Sequence, residues 1–210
     1  MPCEENGDIK WLFLNSIISL TSSLAIINPA VDGTNDIVIF EKGVEDLTYF
    51  AGNLYFYINP TVGYCYLYII DNPASLTGVT TPTQSIKCKG ISAGDNLVMF
   101  SEGDLVKFNP QTKSTTTLLE DVDINYMFVK GNKVLYYNNT NKDATEGLYL
   151  YDMASSTNKD VLLCHSTYYC SAMEMIDDTY YFVNYQGVGG LFGDSHFYSV
   201  KAGQTPLKLA

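Results

Sequence analysis

The sequence predicts an all-β chain folded as a β-propeller of about five four-stranded antiparallel blades, and three observations carry that expectation. An apolar segment ending on Asp or Asn recurs as Leu24-Ala25-Ile26-Ile27-Asn28, Leu67-Tyr68-Ile69-Ile70-Asp71, Leu105-Val106-Lys107-Phe108-Asn109 and Leu148-Tyr149-Leu150-Tyr151-Asp152. A looser copy is Phe197-Tyr198-Ser199-Val200-Lys201, and the leading positions are 43, 38, 43 and 49 residues apart. Self-similarity at that period marks a repeat architecture. Next, each copy is preceded by a turn and a second apolar run, for example Ala51-Gly52-Asn53 before Leu54-Tyr55-Phe56-Tyr57. Finally, 17 Tyr and 10 Phe stand against a single Trp, and aromatic side chains fit the pleated surface of a strand.

The elements follow in order. Trp11 to Ile27 is apolar, but Glu4, Glu5 and Asp8 flank it with only Lys10 to offset them. A signal peptide has a positive flank, and Asn15, Ser16, Ser19 and Thr21 make the run too polar for a spanning helix. It therefore reads as strands of the first blade. In the second blade, Asp46 to Phe50 is the innermost strand and Leu54 to Tyr57 the next. The same offset gives Gly94-Asp95-Asn96 before Leu97 to Phe100, Gly131-Asn132-Lys133 before Val134 to Tyr137, and Asp177-Asp178-Thr179 before Tyr180 to Val183. Gly and Asn suit these turns because they reach positive φ at low cost.

The third strands end at breakers: Asn28-Pro29, Asp71-Asn72-Pro73, Asn109-Pro110, Ser155 to Asn158, and Ala202-Gly203. Proline cannot donate to a ladder, so such points close strands. Fourth strands follow at Asp36 to Phe40, Gln84 to Cys88, Ser114 to Leu119, Lys159 to Cys164 and Thr205 to Leu209. Blades near 8–41, 44–88, 90–120, 122–164 and 168–210 result, as a single domain over 1–210 that stands alone or within a longer array. Asn28, Asp71, Asn109 and Asp152 should share one place in successive blades and bond the following turn as Asx turns do. A two-sheet sandwich is the competing architecture, but it leaves the repeated strand-ending Asp or Asn without a reason. No segment carries a capped 3.6-residue apolar period, so no helix longer than a turn is expected.

The paired strands Leu54 to Tyr57 with Leu67 to Asp71, and Val134 to Tyr137 with Leu148 to Asp152, resemble the N-x-[IL]-Y-Y and [IL]-Y-x-[IYF]-[DN] units of bacterial repeat propellers related to the YWTD and TolB-like groups. The similarity extends over nearly the whole chain, although the Tyr-Trp-Thr-Asp tetrapeptide itself is absent. The resemblance implies a binding or scaffolding surface, often outside the cytoplasm, with no shared catalytic residues.

Charge narrows the partners. All 12 basic residues are Lys, there are 23 acidic residues, and the net charge is -11. Such a chain lacks the Arg fork used for phosphate and guanine recognition, and its field repels nucleic acid and anionic membrane. Neither nucleic-acid binding nor membrane insertion is expected.

Cys3, Cys65, Cys88, Cys164 and Cys170 show no C-x-x-C spacing, and His165 and His196 are the only histidines. No metal or other cofactor is expected on that pattern. Cys65 opens one strand and Cys88 closes its neighbour, so antiparallel pairing sets them opposite. The register decides between a bridge and two buried thiols. Cys164 and Cys170 fall on an outer and an inner strand and are expected to stay apart.

Candidate binding residues gather on inter-blade connections and on loops between second and third strands. Tyr64, His165, Tyr168 and Tyr169 offer aromatic platforms, and Asp121 and Asp123 offer carboxylates on the connection one blade before His165, with Glu45 two blades earlier. Leu191 and Phe192 lie in the glycine-rich connection Gln186 to Ser195, either as a contact for a partner or folded back on their own blade. Asn138-Asn139-Thr140 matches an N-glycosylation acceptor. No G-x-S-x-G elbow accompanies the Ser and His residues. The function expected is a non-catalytic ligand-binding or protein-interaction module of a surface or secreted protein, taking a protein or saccharide ligand, with a cytoplasmic setting left open. The alternative is a carbohydrate-binding or glycoside-hydrolysing propeller, in which two carboxyl groups must flank the bound sugar.

Overall fold

The structure is a computed structural model that describes residues 2–5, 8–16, 22–27, 37–40, 45–58, 65–73, 81–139, 146–155, 160–165, 169–186 and 194–210, with backbone alone for residues through 45 and for 58, 169, 171, 185, 186 and 194. These residues form five four-stranded sheets whose strands lie side by side in sequence order. The first holds β1 (Pro2–Glu5), β2 (Asp8–Ser16), β3 (Ser22–Ile27) and β4 (Ile37–Phe40), and the second β5 (Glu45–Phe50), β6 (Asn53–Ile58), β7 (Tyr66–Asp71) and β8 (Thr83–Lys87). The third holds β9 (Gly90–Ala93), β10 (Leu97–Ser101), β11 (Asp104–Asn109) and β12 (Ser114–Leu119). The fourth is β13 (Ile124–Lys130), β14 (Lys133–Asn138), β15 (Gly147–Asp152) and β16 (Asp160–His165), and the fifth β17 (Tyr169–Ile176), β18 (Thr179–Gln186), β19 (Asp194–Val200) and β20 (Leu207–Lys208). No α-helix occurs among the described residues.

The chain groups into two compact units, Met1–Ile91 with Pro110–Lys113, and Ser92–Asn109 with Ser114–Ala210. Repeat arrays divide readily because each repeat contacts only its neighbours. The first sheet also takes in β1, ahead of residue 8. Pro2-Cys3-Glu4-Glu5 has no apolar pattern of its own, and pairing from Pro2 opposite Trp11 to Glu5 opposite Asp8 makes it a strand.

In the second unit, the second strands of the third and fourth sheets are buried on both faces, which explains their unbroken apolar runs. Leu97 to Phe100 are all buried, as are Val134 to Tyr137. Alternate side chains of a strand point to opposite faces, so β14 serves two interfaces at once. Val134 and Tyr136, with Tyr151, pack among Val98, Phe100 and Leu105 of the third sheet. Leu135 and Tyr137, with Leu148 and Leu150, pack among Met175, Tyr180, Phe182 and Val200 of the fifth. Burying one such side chain is worth about 1.5–3 kcal/mol, so these faces hold neighbouring sheets together. The fourth strand is different: Ser114 to Thr117 of β12 are exposed.

Three directly opposed aromatic pairs sit at one repeat position. Phe56 stacks on Tyr68 with centroids 5.9 Å apart. Tyr136 stacks on Tyr149 at 5.6 Å, and Phe182 on Tyr198 at 5.5 Å. Each such pair adds about 0.5–1.5 kcal/mol beyond the area it buries. In the fourth sheet, the Tyr136 hydroxyl donates to Asp160 Oδ2 on β16.

The strand-ending residues occupy matching places, with Asp71 opposite Asn53, Asp152 opposite Lys133, and Asn109 one step beyond the Phe108–Leu97 pair. Asp152 Oδ1 accepts from Ala154 N at 2.9 Å, the Asx turn expected. After Asp71 the turn is capped from across the ladder, where Asn72 N donates to Asn53 Oδ1 at 3.2 Å. Asn28 lies outside the described residues. A further repeated feature is a register shift between third and fourth strands, at Leu24/Ala25, Tyr66/Tyr68, Leu105/Val106 and Leu148/Tyr149. Such a bulge bends and twists the strand that carries it.

At the turn end of the third and fourth sheets, backbone meets backbone. Asp95 N donates to Gly131 O at 3.1 Å, and Asn96 Nδ2 donates to Asn132 Oδ1 at 3.1 Å. A Cβ on Gly94 would stand 2.8 Å from Gly131 N and 2.9 Å from Gly131 O. Gly94→Ala should therefore lower stability by about 1–3 kcal/mol, as overpacking does, measured by urea unfolding. A change within about 0.5 kcal/mol, the usual surface value, would show that the two turns are not in contact.

The buried tyrosines give a pH signature. Burial, reinforced by Asp160, raises the Tyr136 hydroxyl well above the usual tyrosine range, and burial likewise raises Tyr55, Tyr149 and Tyr151. A folded pKa above the unfolded value means that stability is complete below about pH 10 and falls as pH rises beyond it. Tyrosinate absorbance should show a class of tyrosines that ionises only as the chain unfolds. Smooth ionisation of all tyrosines near pH 10 in the folded protein would contradict that burial.

Candidate functional site

The best-defined candidate surface lies in the second unit, at the end where first strands begin and second strands finish. The connection from β12 to β13 carries Glu120, Asp121, Val122 and Asp123. Its backbone is tied on both sides. Asp121, in left-handed conformation at φ 52, donates its N–H to Asp104 Oδ1 at 3.3 Å, and Val122 N donates to Gly103 O at 2.8 Å. These bonds hold the connection to the β10–β11 turn, where Glu102 and Gly103 take φ 53 and 98. Consecutive positive φ values suit a two-residue hairpin, and Gly103 adopts them at least cost.

On its other side the connection is held by β14. Asp123 N donates to Asn138 Oδ1 at 3.1 Å, and Asn139 N donates to Asp123 O at 2.8 Å. Asn138 is 3% exposed, so its amide works as an internal cap. The glycosylation acceptor Asn138-Asn139-Thr140 thus has its acceptor side chain packed inside the protein.

Among the described residues, the expected site residues are not brought together as one constellation. Asp121 is exposed and Asp123 half-buried on the same short connection. His165, exposed, ends β16 opposite Gly147. Gly147 is opposite Asn138, and Asn138 opposite Ile124. His165 is therefore at the same end as Asp123 but three strand spacings away, about 14 Å at the usual ladder distance. Tyr169 begins β17 opposite Tyr185. Tyr64, Tyr168, Leu191 and Phe192 lie outside the described residues. His196 approaches Lys208 Nζ through Nε2 at 3.3 Å and meets the Tyr198 ring edge-on at 6.4 Å. Among the described residues, no three His, Cys, Asp or Glu side chains group to hold a metal ion, and no helix is long and apolar enough to cross a membrane.

What the sequence reading missed is the acidic company of Asp121. Glu102 and Glu120 are exposed and Asp104 half-buried, and they belong to the two segments that the Asp121 and Val122 hydrogen bonds join. The signal was faint, because Ser101-Glu102-Gly103-Asp104 reads as one more polar turn. Asn138 was better marked. It closes β14, and Asn184 of β18 holds the same repeat position, two residues beyond the stacked aromatic in each blade.

No family model matches the sequence, and a search of curated proteins finds no match. Among solved structures, the chain is similar to TolB from Acinetobacter baumannii, with a TM-score of 0.61 and 10% identity over 96% of this chain and 52% of that one. The fold is that of a β-propeller. The propeller is also similar to a prolyl endopeptidase structure, with a TM-score of 0.58 and 14% identity over 96% of this chain and 32% of the other. An acylaminoacyl peptidase from Pyrococcus horikoshii gives 0.57 and 9%, over 90% and 31%. The chain thus spans about half of the TolB chain and about a third of each peptidase chain. At such identities the likeness carries the propeller fold alone, and each sheet above is one blade.

The Asn138 cap is testable. Asn138→Ala should cost about 1–3 kcal/mol, because it strands a backbone donor as well as removing a bond. Asp121→Asn keeps a residue at ease in left-handed conformation and should stay within about 0.5 kcal/mol of the parent. Chemical denaturation of both variants checks the contrast, and equal effects would refute the capping role.

Proposed function

We propose that the chain is a non-catalytic interaction module that engages a protein with a basic surface through the acidic end of its third and fourth blades. The observation that supports this reading is the hydrogen-bonded junction of the Glu102 turn with the Glu120–Asp123 connection. Its backbone is held by Asp104, Gly103 and Asn138 while Glu102, Glu120 and Asp121 face outward. A surface whose backbone is already ordered loses little entropy on binding. Its charge, within a chain of net charge -11, steers and selects a positive partner. Against the glycosidase alternative, Asp121 and Asp123 rise from one short segment, whereas glycoside hydrolysis places two carboxyl groups on either side of the scissile bond. The proposed setting is a cell surface or a secreted protein, as the resemblance to YWTD and TolB-like propellers suggests.

The test is a screen of the purified protein against Lys- and Arg-rich peptides and a glycan array, at two salt concentrations. Basic peptides should bind and weaken with salt. The triple variant Glu102→Gln, Glu120→Gln, Asp121→Asn should bind about tenfold less tightly, on the order of 1.4 kcal/mol. Selective glycan binding with no peptide binding would overturn the reading. So would turnover of model glycosides that is lost in Asp121→Ala or Asp123→Ala.

A further inference from the structure

Cys65 and Cys88 stand immediately outside the paired ends of β7 and β8. Tyr66 is opposite Lys87, and Cys88 N donates to Cys65 O at 3.1 Å. The ladder therefore runs one step beyond the strands and sets the two cysteines directly opposite, as a hydrogen-bonded pair. Such a pair has Cα atoms about 5.5 Å apart, inside the roughly 4.4–6.8 Å that a disulfide spans. Opposed residues also project from the same face of the sheet. Both cysteines stand as thiols. They differ in access, since Cys88 is 3% exposed and Cys65 is half-buried. Cys88 Sγ donates to Gly90 O at 3.4 Å.

We propose that Cys65 and Cys88 form a modification site at which a low-molecular-weight disulfide of the glutathione class closes an intrachain bridge across the second blade. Cys65 loses its proton to solvent, and its thiolate attacks one sulfur of the small disulfide. The small S–S bond breaks, and one small thiolate leaves and takes up a proton. Cys88 then gives up its proton and attacks the Cys65 sulfur, expelling the second small thiol. Two protein thiols are oxidised by two electrons, and one small disulfide is reduced to two thiols. The order follows from access, because only Cys65 meets solvent. Burial first, partly countered by a backbone hydrogen bond at Gly90 and with smaller contributions from Asp46 and Cys65, pushes the Cys88 thiol up to about 12. The second step is accordingly the slow one. Closing the bridge removes the donor from the Gly90 carbonyl at the start of β9.

Cys164 and Cys170 are the internal comparison. Cys164 is opposite Leu148, and Cys170 opposite Asn184, in different blades. No ladder sets them against each other.

The test treats the whole folded protein with graded ratios of oxidised to reduced glutathione, quenches by alkylation, and maps the peptides by mass spectrometry. The expected result is loss of alkylation at Cys65 and Cys88, a peptide joining the two, and retained alkylation at Cys164 and Cys170. In Cys88→Ser, glutathione should stay trapped on Cys65. The wild-type map stands by itself if that variant does not fold. Retention of both thiols in fully oxidised glutathione would overturn the proposal, as would a Cys65–Cys88 link that forms only in denaturant.

Discussion

Everything in this fold depends on one packing constraint: a middle blade must bury both faces of its two central strands at the same time. In β14, Val134 and Tyr136 answer to the third blade while Leu135 and Tyr137 answer to the fifth. A sheet with one wet face can alternate apolar and polar residues; a sheet between two others cannot. The second strand is therefore apolar along its buried stretch, and polar residues move to the turns, to the fourth strand and to exposed third-strand positions such as Lys107. Among the described residues, the buried second strands leave no room for chemistry, which falls to the blade ends.

That constraint explains what could be read from the sequence. The second strands are continuous apolar runs and the third strands end on Asp or Asn, so their positions were evident before any coordinates. The aromatic pairs Phe56–Tyr68, Tyr136–Tyr149 and Phe182–Tyr198 follow from aligning the repeats. The bulge beside the fourth strand did not show, because one extra residue in a polar strand changes no apolar pattern. Nor did β1, whose Pro-Cys-Glu-Glu sequence becomes a strand only through β2.

At the candidate site, sequence pattern pointed to the Asp121–Asp123 connection but not to what holds it. Asp121 and Asp123 looked like ligand-facing carboxylates on an otherwise ordinary loop. Their backbone N–H groups do as much as their side chains, through Asp104 and Asn138. Side-chain chemistry can be suspected from residue type, whereas a backbone donor is the same at every non-proline position. Only the fold reveals which donor is taken and by whom. His165 was expected one blade beyond Asp123, and the ladder from Ile124 through Asn138 and Gly147 puts the width of a four-stranded blade between them.

The burial of Asn138 reaches beyond stability. A glycan on its amide nitrogen and the cap it gives to Asp123 cannot coexist, because the sugar has to stand in water and the cap needs the side chain inside. Oligosaccharide transfer in a secretory pathway can reach the chain before the fourth blade closes. The Asn138-Asn139-Thr140 triplet would then set modification and folding in competition, and a modified chain could not complete β14. In a host that glycosylates asparagine, a chain that carries the sugar at Asn138 would therefore be one that lacks this cap.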